Sequence, residues 1–215
     1  MISSRLKVIS DFINEDVRVI DIGCDHALLD IYLTLNKNIK CVALDVNKNA
    51  LDIARNNIKK YNLDDKIEIV LSNGVDEIEL KDNDYLVMSG MGTKTIIKIL
   101  RSKKIKNQKL IIQSNTEIFK LRKVLKKLGY HVIDEEVVYE KNKFYPTIFY
   151  EKGKEKSNIL IGRLLNKKNG YEYVNYLIKK LEIIFNNKPN SFEKFNLYFK
   201  LKYLKKSLRD FKEKM

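Results

Sequence analysis

The feature that most constrains this chain is an alternation of two hydrophobic periodicities through its first 150 residues. Short, β-branched, mostly apolar runs at 17–22 (VRVIDI), 40–45 (KCVALD), 66–71 (KIEIVL), 84–89 (DYLVMS) and 108–113 (QKLIIQ) have the pattern of strands buried on both faces. Helical spacing fills the gaps at 27–35, 47–61, 93–100 and 117–128. Strand and helix in this order specify an α/β fold, a doubly wound parallel sheet with right-handed crossovers. After Gly129 the rhythm changes. Residues 130–140 and 144–151 are strand-like and are joined by Lys141-Asn142-Lys143, too short for a helix, so they are expected to form an antiparallel hairpin.

From Lys154 onward no strand signal remains. Val174, Leu177, Leu181 and Ile184, then Leu197, Leu201, Leu204, Leu208 and Phe211, recur at the three-and-four spacing of a helix-packing seam. Asn186-Asn187-Lys188-Pro189 breaks the chain between them, and Asn190 with Glu193 resembles a capping box at the start of the last helix. The expected organisation is a front domain over residues 1–153 and an antiparallel, coiled-coil-like helical hairpin over 154–215, with a short boundary near 152–156. The net charge of +14 is uneven: residues 154–215 hold 16 Lys/Arg against 6 Asp/Glu (+10), and residues 1–153 hold 26 against 22 (+4). Such a tail attracts a polyanion, and Tyr171, Tyr173, Tyr176, Tyr198 and Tyr203 are interleaved with its lysines.

Several classes are disfavoured. No apolar run approaches the roughly 20 residues needed to span a bilayer, and the first 13 residues carry Arg5, Lys7 and Asp11 in an amphipathic pattern rather than a secretory one. A cytoplasmic location without membrane attachment is expected. Cys24 and Cys41 read as free thiols, and with only His26 and His131 to supplement them no metal site is expected.

The chemistry is concentrated at strand ends. Asp21-Ile22-Gly23-Cys24-Asp25-His26-Ala27 follows the first strand and leads into a helix. Gly23 suits a tight turn that brings backbone N–H groups to a ligand, but the second and third glycines of a pyrophosphate fingerprint are missing. Asp25 would also repel phosphates. Asp21 and Asp25 suit S-adenosylmethionine better, since it has no phosphate and carries a cationic ammonium and sulfonium. Asp45, followed by Val46, ends the second strand, where a carboxylate can accept both ribose hydroxyls, although Asp45 or Asn47 is equally a natural helix cap. Asn73-Gly74 after the third strand can border an adenine or form a plain turn. Ser89-Gly90-Met91-Gly92 at the fourth strand leaves backbone exposed to a planar base, and Gln113-Ser114-Asn115 offers amides on the same rim.

Together, Val19 to Leu29 (VIDIGCDHALL), Ser89-Gly90-Met91-Gly92, Gln113-Ser114-Asn115 and the hairpin with Tyr145 resemble the bacterial tRNA (adenine(22)-N(1))-methyltransferase family, over essentially the whole chain. The resemblance implies a class I, Rossmann-like methyltransferase fold, S-adenosylmethionine as donor, and N1 of an adenine in the D-arm of tRNA as acceptor. It places Asp21, Gly23, Cys24 and His26 at the methionine end, Asp45 and Val46 at the ribose, and Asn73 and Gly74 at the adenine. Asp25, Ser89, Gly90, Met91, Gly92, Asn115 and Tyr145 then fall to the acceptor side. One departure is Asn73-Gly74, where Asp-Gly is the expected pair. His26 fits cofactor binding or loop orientation better than general-base catalysis, because adenine N1 already carries an in-plane lone pair. A monomer is favoured, although the tail could pair with a second copy. The competing readings are a small-molecule methyltransferase, which leaves the basic tail unexplained, a non-catalytic RNA-binding protein on the same scaffold, and a nicotinamide oxidoreductase, which the missing glycines disfavour.

Overall fold

A computed structural model describes residues 2–14, 17–153 and 160–214. Strands β1 (Arg18–Ile22), β2 (Lys40–Asp45), β3 (Ile67–Leu71), β4 (Tyr85–Met91) and β5 (Lys109–Ser114) are joined by α2 (Leu28–Lys37), α3 (Lys48–Lys60) and α4 (Thr93–Leu100). Helix α5 (Ile118–Lys127) then leads to β6 (Tyr130–Glu140) and β7 (Lys143–Lys152). All seven strands share one sheet in the order β3-β2-β1-β4-β5-β7-β6, with β1 to β5 parallel and β7 antiparallel to both neighbours. Winding reverses between β1 and β4, and their carboxyl ends frame the crevice in which open α/β sheets bind ligands.

Each face of the sheet has its own core. Helices α1 (Ser4–Asp11), α2 and α3 bury Ile9, Leu33, Leu51 and Ile58 on one side; α4 and α5 bury Ile96, Leu100, Leu121 and Leu125 on the other. The β6–β7 turn is tighter than the three residues the sequence marks out. Lys141 and Asn142 take the left-handed conformation (φ 49° and 60°) of a two-residue type I′ turn, and Lys143 already pairs with Glu140.

The tail forms helices α6 (Gly170–Asn187) and α7 (Phe192–Lys212), joined by four residues. The cap of α7 is Ser191, not Asn190: its hydroxyl accepts from the Lys194 N–H, while Glu193 turns away to pair with Lys188 at 2.5 Å. Val174, Leu177, Leu197, Leu201, Leu204 and Leu208 are buried as the seam requires. Ile184 is exposed, so the seam opens toward the hairpin tip. Tyr173 is also buried, packed on Phe144 of β7, which removes it from the surface tyrosines.

At its root the hairpin packs on Val137 and Phe144. Glu135 of β6, fully buried, pairs with Arg122 of α5 and accepts from the Arg163 backbone N–H, tying sheet, helix and tail together. Most of the expected boundary, 154–156, lies outside the described residues. No helix among the described residues is long and apolar enough to cross a membrane, and no group of three or more His, Cys, Asp or Glu among them could hold a metal ion. Cys24 and Cys41 are both free and buried.

Candidate active site

The segment after β1 folds unlike an ordinary strand-to-helix turn. Gly23, Asp25 and Ala27 all take positive φ (76°, 52° and 55°), a strained run of the kind that clusters at ligand sites. The Gly23 and Cys24 N–H groups donate to the Leu44 carbonyl at 2.7 and 3.0 Å, which ties the turn to the end of β2. A Cβ on Gly23 would lie 3.0 Å from the Met91 methyl, so conformation and space both require glycine there.

Asp45 holds two loops at once. One carboxylate oxygen accepts from the Asp25 N–H at 3.2 Å and the other from the Asn47 N–H at 2.8 Å. The cap of α3 is Asn47, whose side chain accepts from the Asn49 and Ala50 amides, so the capping role falls to Asn47 and not to Asp45.

The Ser89-Gly90-Met91 segment is not a loop beyond β4, because the strand continues through Met91 with a register slip at Gly90 (φ 75°). Such a bulge re-aims the strand end next to a site. An amide network fixes it. The Gln113 side-chain oxygen accepts from the Gly90 N–H at 3.0 Å, the Gln113 amide donates to Asn115 Oδ1 at 3.1 Å, and the Asn115 amide donates back to the Gly90 carbonyl at 2.6 Å. Gly92 caps α4 through its backbone.

These strand ends surround one cavity of about 700 Å³, in the size range of small-molecule sites. Asp21, Gly23, Cys24, Asp25, His26, Asp45, Val46, Ser89, Gly90 and Met91 all line it. Burial pushes the Asp21 carboxyl well above the usual carboxylate range, and the charges of Asp30 and Asp45 add to the rise. Asp30, at the start of α2, is fully buried beside Asp21; desolvation lifts its carboxyl to about 7 against the smaller opposing pulls of Asp21, its own backbone N–H and the Cys41 thiol. Neither Asp30 oxygen meets a well-formed donor, and two neighbouring carboxyls can satisfy each other only through a shared proton. Burial and the neighbouring carboxylates also push the Cys24 thiol up, which keeps it un-ionised. His26 lies 3.4 Å from the Asp25 carboxylate and is partly exposed.

Residues 2–148 match a family described as a methyltransferase domain. A tRNA (adenine(22)-N(1))-methyltransferase of Bacillus subtilis is 30% identical over 156 residues, 71% of this chain and 66% of its own length. A putative tRNA methyltransferase of Mycoplasma genitalium is 31% identical over 160 residues, 70% of this chain and 72% of its own length. The structure of M. capricolum TrmK with S-adenosyl-homocysteine superimposes with a TM-score of 0.81 at 31% identity, covering 97% of this chain and 98% of that one. The chain belongs to the TrmK family of methyltransferases. The TrmK match extends through the helical tail, well past the end of the domain match at residue 148.

Five of the residues singled out in the sequence lie outside the lining of the TrmK-type cavity. Asn115 and Gly92 stand immediately behind it, through the contacts just described. Tyr145 of β7 reaches it indirectly: the Arg5 guanidinium lies 4.4 Å from its ring centroid, and Arg5 lines the cavity. Asn73 and Gly74 open instead on a separate depression of about 250 Å³ bordered by Lys98 and Ile99 of α4, with the Asn73 amide turned toward Asp76. Sequence reasoning missed Arg5, the only Lys or Arg among the described lining residues, together with Asp30, buried beside the lining residue Asp21. The amphipathic spacing around Arg5 was a usable signal for a helix, but nothing local says where that helix packs. Asp30 did carry a signal, as an acid on the apolar face of a helix.

Proposed function

We infer that this protein is an S-adenosylmethionine-dependent tRNA methyltransferase that methylates N1 of adenine 22 in the D-arm. The observation that carries the reading is the gathering of Asp21, Gly23, His26, Asp45 and Met91 around one crevice at the sheet's switch point, in a chain similar to TrmK along nearly its full length.

The lining fits the donor. Asp45 presents a carboxylate to the ribose hydroxyls, Asp21 faces the ammonium, and Arg5, held against Tyr145, supplies the counter-charge for the carboxylate. When bound, S-adenosylmethionine supplies an electrophilic methyl on a cationic sulfur, which leaves as a thioether while adenine N1 gains the methyl and the positive charge. No proton need leave N1 before that step, so the protein's task is alignment. The Gly90 bulge, fixed by Gln113 and Asn115, offers exposed backbone against which a base can lie, and Asp25 is the nearby carboxylate that stabilises the cationic product. Asn73 and Gly74 border the adenine of the donor only if that ligand reaches beyond the main cavity toward α4. Residues 154–215 form the tRNA-binding unit in this reading, and the enzyme works in the cytoplasm as a monomer. The test is mass spectrometry of nucleosides from an unmodified tRNA transcript incubated with protein and S-adenosylmethionine. One 1-methyladenosine at position 22 is expected, and an unmodified transcript refutes the reading.

A further inference from the structure

A second concavity, of about 320 Å³, lies between the carboxyl rim of β5, the start of β7 and the α6–α7 hairpin. Its wall is aromatic. Phe144 sits 5.4 Å from Tyr176 between ring centroids, and Tyr176 remains 45% exposed, so a flat π surface faces solvent where a core position would have closed. Its rim is cationic. Lys180 lies 6.0 Å from the Tyr176 ring and Lys200 lies 5.7 Å from Phe119, while the single carboxylate among the described lining residues, Glu117, is paired with Lys120 at 3.5 Å. Asn115 joins this cleft to the methyl-transfer cavity: it lines the cleft, and its amide holds the Gly90 carbonyl in the wall of the cavity.

We propose that this cleft is a stacking subsite for one tRNA nucleotide, the neighbour of the adenine that enters the methyl-transfer cavity. The proposal rests on the tRNA methyltransferase reading and adds a position to it. Extruding a base removes a stacking partner from the nucleotide beside it, and an exposed tyrosine in the adjoining cleft replaces that partner. Aromatic walls with a lysine rim are the combination by which proteins hold single-stranded nucleotides irrespective of sequence. The charge selects a phosphate-bearing occupant over an apolar peptide, and the volume admits a single nucleotide, not a duplex.

The test uses the full-length protein, an unmodified tRNA transcript, and transcripts abasic at either neighbour of adenine 22. Tyr176→Leu is expected to weaken tRNA binding about 10- to 100-fold, the loss typical of a stacked base, with S-adenosylmethionine affinity unchanged. Tyr176→Phe, which keeps the ring, retains wild-type binding. One abasic transcript reproduces the loss with the wild-type protein and adds nothing to Tyr176→Leu. Wild-type affinity in a folded Tyr176→Leu protein, or losses that multiply when variant and abasic transcript are combined, would overturn the proposal. Binding is read without methyl transfer, so a protein that shows this coupling but forms no 1-methyladenosine refutes the activity and not the subsite.

Discussion

Replacing Asp30 with Asn tests whether a buried proton sits beneath the cofactor cavity. Asp30 has no exposed surface, its oxygens meet no well-formed donor, and its carboxyl, beside that of Asp21, is lifted from 3.8 to about 7. The native state therefore keeps a proton that the unfolded chain releases near pH 4, so it binds more protons across the interval from about 4 to 7. Stability contributed by that proton is full below this interval and is lost as pH rises through it. At 1.36 kcal/mol per pKa unit the shift corresponds to about 4 kcal/mol. Asp30→Asn puts a permanent N–H donor opposite Asp21. Urea unfolding from pH 4.5 to 8.5 should find the variant close to wild type at the acid end and more stable by up to about 4 kcal/mol at the alkaline end, with a flatter profile. Asp21 keeps its own burial, so some slope survives. A difference between the two proteins that stays constant over that range would refute the shared proton.

Asp45→Ala removes the acceptor that joins the β1 and β2 turns and lines the cavity; if it holds the ribose as proposed, calorimetry should show S-adenosylmethionine affinity falling about 10- to 100-fold, as for loss of hydrogen bonds to a charged group. Arg122→Met leaves Glu135 charged and buried without its partner, and chemical unfolding should register a loss of about 3–5 kcal/mol. Gly23→Ala forces a side chain into φ 76° against the Met91 methyl. It should cost at least about 1–2 kcal/mol of stability and weaken cofactor binding in the same calorimetric titration.

Local chemistry made much of the architecture legible. Buried parallel strands appear as short β-branched runs, and the helices between them as three-and-four spacing, because both patterns are written within a few turns of chain. Element ends were less secure. Ser191 took the α7 cap from Asn190, and β4 ran on past Ser89 through Gly90 and Met91, since two adjacent cap candidates or a bulge are decided by which hydrogen bonds the surroundings can close. Tyr173 and Tyr176 look alike in sequence, yet one is buried against Phe144 and the other stands open, a difference that depends on where the hairpin lands on β7.

By itself the sequence determined the order of elements, the acidic turn after β1, the carboxylate at the end of β2 and the basic helical hairpin, because each is a property of neighbouring residues. Only the tertiary structure brought Arg5 to the cavity, slotted β7 between β5 and β6, joined Asp21 to Asp30 and enclosed the aromatic cleft beneath Tyr176. Those contacts join segments distant in the chain or faces of separate elements. Which of them form is settled by how the whole core packs, an energy that no stretch of chain carries alone.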